Sequence, residues 1–127
     1  MSESLFWKQF KKNLPDKAIA FRLENKGTIL GIPDVHMLWD KTSFWFELKV
    51  TKNHRVKISE YQISFNTKYF LNGGNNYYLV KHLEQKSLFL FGGDQGLELR
   101  EKGLKAQGKR FENFEDLFLD LRPKLRP

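Results

Sequence analysis

Hydrophobic positions change period several times along this chain, and each change marks a predicted element. Phe6, Phe10 and Leu14 recur at helical spacing and give one apolar stripe to a helix that Ser2 caps and that runs to about Asn13. Lys8, Lys11 and Lys12 decorate the remainder, and Pro15 helps to end it. Three extended segments follow: Ala18–Glu24, which alternates moderately well, the β-rich Thr28–Trp39, and Ser43–Thr51, the clearest. Gly31 and Pro33 interrupt the second and predict a bend or bulge there, not a central ladder position.

The next change is sharper. Ile58-Ser59-Glu60-Tyr61-Gln62-Ile63 has Ser59 as N-cap, Gln62 three positions on to close a capping box, and Ile58 with Ile63 as the hydrophobic staple. This helix runs through Tyr69 and stops at Gly73-Gly74. Asn76–Leu83 and Ser87–Phe91 follow as strands, and Gly92-Gly93-Asp94-Gln95-Gly96 reads as a turn. That segment lacks the Lys-Ser/Thr of a phosphate loop and no helix is expected directly after it. After a basic stretch of ambiguous structure, Asn113 caps a last helix with Phe114, Leu117, Phe118 and Leu121 on one side, followed by a polar tail, Arg122–Pro127. The order is one helix, three strands, a helix, two strands and a helix, a mixed α/β domain in which a meander gives way to a helical crossover.

Composition narrows the function. With 127 residues the chain is expected to form one domain, 1–127, without repeats or linkers. Its longest strictly apolar run, Leu88–Phe91, is far below the roughly 20 residues of a spanning helix, and its first residues lack a signal layout, so membrane and secretory readings are set aside for a cytoplasmic one. The absence of cysteine removes disulfides, thiolate nucleophiles and Cys-based metal sites. His36, His54 and His82 are too scattered for a helical metal pair. A net charge of +7 favours a polyanionic partner.

The chemistry concentrates in Ser43–Thr51. Across a strand Trp45, Glu47 and Lys49 share one face, while Phe46, Leu48 and Val50 form a plain core face. A carboxylate and an ammonium beside so much aromatic surface are expensive to bury alone, so their face either reaches solvent, as a cross-strand ion pair, or supports a site. Upstream, the bend at Gly31-Ile32-Pro33 lets Asp34 turn toward Glu47. Two convergent carboxylates suit Mg²⁺, and a lysine beside that ion can hold the attacking water or stabilise charge on a phosphate. Acid-x-Lys itself is cheap: Glu24-Asn25-Lys26 and Glu84-Gln85-Lys86 repeat it in loop-like contexts. Only Glu47-Leu48-Lys49 lies in a strong strand behind a Pro-Asp.

Pro33-Asp34 followed by Glu47-Leu48-Lys49 resembles the PD-(D/E)xK nuclease signature. Gly31-Ile32-Pro33-Asp34 with Ser59-x-x-Gln62 looks like the VRR-NUC branch, and Glu47-Leu48-Lys49-Val50-Thr51-Lys52 is similar to archaeal and phage Holliday junction resolvases. The resemblance covers about residues 1–83. It implies a restriction-endonuclease-like αβββαβ core, about 1–91, with a mixed central sheet, and a C-terminal extension, 92–127. It further implies that Asp34 and Glu47 bind Mg²⁺ or Mn²⁺ with the Leu48 carbonyl, that Lys49 positions the water and that Gln62 supports the site. An extra acid from the first helix would be Glu3, with Glu24 as its rival.

Lys52, His54, Arg55 and Lys57 form a basic loop directly after these residues and are candidate DNA contacts. Arg100, Lys102, Lys105, Lys109 and Arg110 form a second cluster that either holds DNA or only confers solubility. No aromatic pair shows the spacing of a base-stacking platform. The expectation is a Mg²⁺-dependent DNA endonuclease acting on branched DNA such as a four-way junction, as a homodimer. The alternatives are a flap, duplex or restriction-type nuclease, a non-catalytic basic module and, with no motif behind it, an RNA binder.

Overall fold

In a computed structural model, residues 1–24 and 30–123 are described. Ser2 caps helix α1 (Glu3–Lys12), its hydroxyl accepting from the Leu5 N–H. Strands β1 (Ile19–Arg22), β2 (Val35–Trp39) and β3 (Thr42–Thr51) follow, then helix α2 (Glu60–Leu71) and strands β4 (Asn76–His82) and β5 (Ser87–Gly92). Helix α3 (Gly96–Lys102), the short strand β6 (Lys109–Phe111) and helix α4 (Phe114–Leu121) complete the order. Asn113 caps α4 as expected, its side chain accepting from the Asp116 N–H.

The six strands form one sheet in chain order, antiparallel throughout except for β3 beside β4. That parallel step requires a crossover, which α2 provides. The second extended segment is shorter than its composition suggests: β2 begins only at Val35, after the break at Gly31 and Pro33. Of that expected segment, Thr28 and Ile29 lie outside the described residues, as do Asn25 and Lys26 of the first acid-x-Lys copy and residues 124–127 of the tail.

Two readings need correction. Gly92–Gly96 is not an isolated turn, because a 3₁₀ turn over Gly93–Gln95 leads straight into α3. The Gln95 side chain accepts from the Gly92 N–H at 2.8 Å and closes that entry. The basic stretch after it holds α3, a second 3₁₀ turn (Gly103–Lys105) and β6. Periodicity missed these elements because each is seven residues or fewer.

Each face of the sheet has its own core. On one, α1 and α4 deliver Phe6, Phe10, Phe114, Leu117 and Phe118 onto Val35, Met37, Phe44, Phe46 and Leu48. Phe10 is its centre, with ring centroids 5.2 Å from Phe46 and 5.5 Å from Phe118. On the other, the loop before α2, α3 and the turn after α3 cover Tyr78, Val80 and Phe91 with Val56, Ile58, Leu99 and Ala106, and Ile63 of α2 packs against them. Phe10→Ala removes a fully buried ring from the first core. It is expected to cost on the order of 3–5 kcal/mol, measured as a lower midpoint in denaturant unfolding.

Candidate active site at the end of the second strand

Register sets the site. Val35 pairs with Phe46, so continuing the β2–β3 register by two steps sets Asp34 opposite Glu47 and Pro33 opposite Leu48. The Trp45 N–H donates to Asn75 O on the β4 side. Alternation then turns the Leu48 N–H and C=O toward β2. Proline has no N–H to give, and the ladder cannot continue there. Instead the Leu48 N–H donates to Asp34 Oδ2 at 3.2 Å. On the other side the Leu23 N–H donates to the Asp34 carbonyl at 2.7 Å. Asp34 is thus held between β1 and β3 with its carboxylate against the Glu47-Leu48 segment.

Glycine makes this bend possible. Gly31 has φ +84°, and a Cβ there would lie 2.0 Å from the Tyr61 carbonyl oxygen. The Gly31–Asp34 segment therefore rests directly on the first turn of α2.

Glu47 is 1 % exposed, so its face does not reach solvent at that point. Tyr78 is its register partner on β4. Burial, and then the negative charge of Glu47, push the Tyr78 phenol well above its ordinary pKa, while its hydroxyl donates to the Gln62 carbonyl at 3.3 Å. Lys49, half-buried two residues on, donates from Nζ to Gln62 Oε1 at 3.2 Å. That same oxygen accepts from the Ser59 N–H at 3.0 Å, while Ser59 Oγ accepts from the Gln62 N–H at 3.1 Å. Gln62 is both the expected capping residue and a contact of Lys49.

Asp34, Glu47, Leu48, Lys49 and Gln62 are brought together. Glu3 is not: it lies in the first turn of α1, whose Phe6 and Phe10 pack on the opposite face of the sheet. Glu24 sits exposed just beyond β1. Among the described residues no three His, Cys, Asp or Glu side chains group to hold a metal. Two carboxylates and a carbonyl facing the same gap nevertheless fit Mg²⁺, which is bound by one or two carboxylates with waters completing its shell.

The basic loop has a fixed backbone. Thr51 Oγ1 donates to the Arg55 carbonyl at 2.8 Å, the Arg55 N–H donates to Asn53 Oδ1 at 2.7 Å, and the Leu104 N–H donates to the His54 carbonyl at 2.8 Å. Lys52, Arg55 and Lys57 stay exposed and His54 is half-buried. Tyr78 was missed from sequence because an apolar strand gives no sign of which tyrosine will face a carboxylate. The row Phe21–His36–Trp45, with centroids 5.1 and 4.7 Å apart, was missed because it forms across strands.

Gly31→Ala is expected to cost on the order of 2 kcal/mol or more through the left-handed backbone and the contact with Tyr61. A calorimetric Tm several degrees below wild type checks it.

No family profile and no curated protein sequence matches the chain. Among solved structures it is similar to Hjc from Archaeoglobus fulgidus, a Holliday junction resolvase from an archaeal hyperthermophile. Identity is 18 % over 73 % of this chain and 75 % of that one, with a TM-score of 0.54. The architecture expected from the motif, an αβββαβ core with a mixed sheet and a C-terminal helix, is the one observed, and the chain shares its fold with that resolvase.

Proposed function

We propose that this chain is a metal-dependent DNA endonuclease that hydrolyses phosphodiester bonds, selects branched DNA such as a four-way junction, and works as a homodimer. The observation that carries this reading is the assembly of Asp34, Glu47, Leu48 and Lys49 where the β2–β3 ladder breaks. The likeness in fold to a Holliday junction resolvase supports DNA as substrate and a junction as its form. Two symmetric cuts in such a junction need two sites, hence the dimer.

Asp34, Glu47 and the Leu48 carbonyl would hold Mg²⁺, with Mn²⁺ able to substitute. Such an ion, when bound, polarises a phosphoryl oxygen and neutralises charge developing on it. Lys49 presents its ammonium to the attacking water and to the charge that builds on the phosphate. Gln62 fixes that ammonium, and the α2 cap fixes Gln62. Water attacks phosphorus in line, the bond to the 3′ oxygen breaks, and that oxygen takes up a proton, leaving a 5′-phosphate and a 3′-hydroxyl. Lys52, His54, Arg55 and Lys57 follow directly on β3 and contact the DNA backbone beside the site.

The test compares an immobile four-way junction with its matching linear duplex, in Mg²⁺ and in EDTA. Junction-selective nicking in Mg²⁺, absent in EDTA and lowered by at least about 10²-fold in Lys49→Ala, is the expected result. Equal cutting of both substrates keeps the nuclease and discards junction selectivity. Binding without cleavage under any divalent metal leaves a basic nucleic-acid-binding module.

Two variants separate the cap from the chemistry. Ser59→Ala is expected to cost about 1 kcal/mol of stability and leave kcat within a few-fold. Gln62→Ala is expected to lose similar stability and, well below its Tm, to lower kcat on the order of tenfold.

A further inference from the structure

The two basic clusters lie some fifty residues apart in the chain, yet they meet in the fold. A concavity of about 340 Å³ is lined by Asn53, His54, His82, Lys105 and Arg110 over a floor that includes Phe89. Its walls come from the loop after β3, the end of β4, the 3₁₀ turn after α3, and β6. The join is tight. Gly103 has φ +60°, a Cβ there would lie 2.0 Å from the His54 carbonyl oxygen, and the Leu104 N–H donates to that same oxygen.

Among the described residues no carboxylate lines this concavity. His82 is 7 % exposed, and its Nδ1 accepts from the Gln85 N–H at 3.0 Å, which places the ring proton on Nε2 as a donor. The Arg110 guanidinium lies 5.8 Å from the Phe89 centroid, and its Nε pairs with exposed Glu112 at 3.2 Å. Those two contacts orient the rest of the fork, whose donor geometry suits a phosphate. Lys105 adds a second full charge at the rim.

Position gives the concavity a use. Thr51 pairs with His82 and Val80 with Phe89, and Phe89 pairs with Arg110, so these residues share the sheet face of Glu47 and Lys49. Strand rise and spacing put the concavity about 15 Å from Glu47. At about 3.4 Å of axis per nucleotide of one strand, that is no more than about four nucleotides along DNA.

We propose that this concavity holds one backbone phosphate of the DNA, up to about four nucleotides from the cleaved bond, and so fixes the direction in which the strand crosses the site. The inference rests on the endonuclease reading above and adds to it a phosphate site built from elements outside the motif.

The test is a binding measurement in EDTA on fluorescent DNA carrying a single neutral methylphosphonate, scanned through the positions flanking the cut. One position two to four nucleotides from the cut is expected to weaken wild-type binding on the order of tenfold, and to have no effect in Lys105→Ala/Arg110→Ala. In unmodified DNA that double variant is expected to lower the slope of log affinity against log salt by about 1 or more. Lys11→Ala/Lys12→Ala removes the same charge from exposed positions on α1 and controls for net charge alone. If the concavity variant behaves like that control, or if no phosphate position couples to it, this inference fails while the endonuclease reading stands. Wild-type protein that binds no DNA overturns both. Both double variants change only exposed side chains, and an unchanged Tm shows that they fold.

Discussion

The site depends on one missing N–H. Where β2 and β3 would continue their ladder, the partner facing Leu48 is Pro33, and proline cannot donate to the Leu48 carbonyl. Buried backbone groups do not go unmatched cheaply, so the strands part and the Asp34 carboxylate takes the Leu48 N–H. Oxygen atoms thereby collect at one point: the Leu48 carbonyl, the Asp34 carboxylate, and Glu47 one residue earlier.

The opening of α2 braces that point from the other side. Gly31 lies against the Tyr61 carbonyl and only a residue without Cβ permits the approach. The next residue, Gln62, supplies one oxygen to both the helix cap and the Lys49 ammonium. A helix start and the Lys49 ammonium thus share an acceptor. The capping box is therefore no rival explanation for Gln62, because holding the amide at the cap is what points its oxygen at Lys49. Tyr78 fixes the same residue by its backbone carbonyl, one strand over from Glu47.

How much of this was legible in the chain follows from the range of each interaction. Caps act over three residues and strand alternation over two, so Ser2, Ser59 and Asn113 announced their helices and Ser43–Thr51 its faces. Pro33, Asp34, Glu47 and Lys49 were legible because the break and the acids stand on neighbouring strands joined by a short turn. The segment 92–111 was not, since its elements are too short for a period to repeat and are specified by packing on Tyr78 and Phe91. Nor was the meeting of His54 with Lys105 and Arg110 legible, which depends on a sheet register summed over four strands.

The division of the sheet explains how a buried carboxylate is tolerated. A charge removed from water penalises folding unless cations or donors surround it. The α1–α4 face carries the dense aromatic core, with Phe10 touching Phe46, Phe114 and Phe118, and asks nothing polar of its residues. The opposite face carries the smaller cluster under α2 and α3, and next to it Glu47, Lys49, Thr51 and His82 follow one another along two paired strands. The larger apolar cluster thus lies on one side of the sheet and the smaller on the other. The other side can therefore hold a polar row whose cost would be hard to meet within a single core, and alternation along β3 is what keeps the two apart.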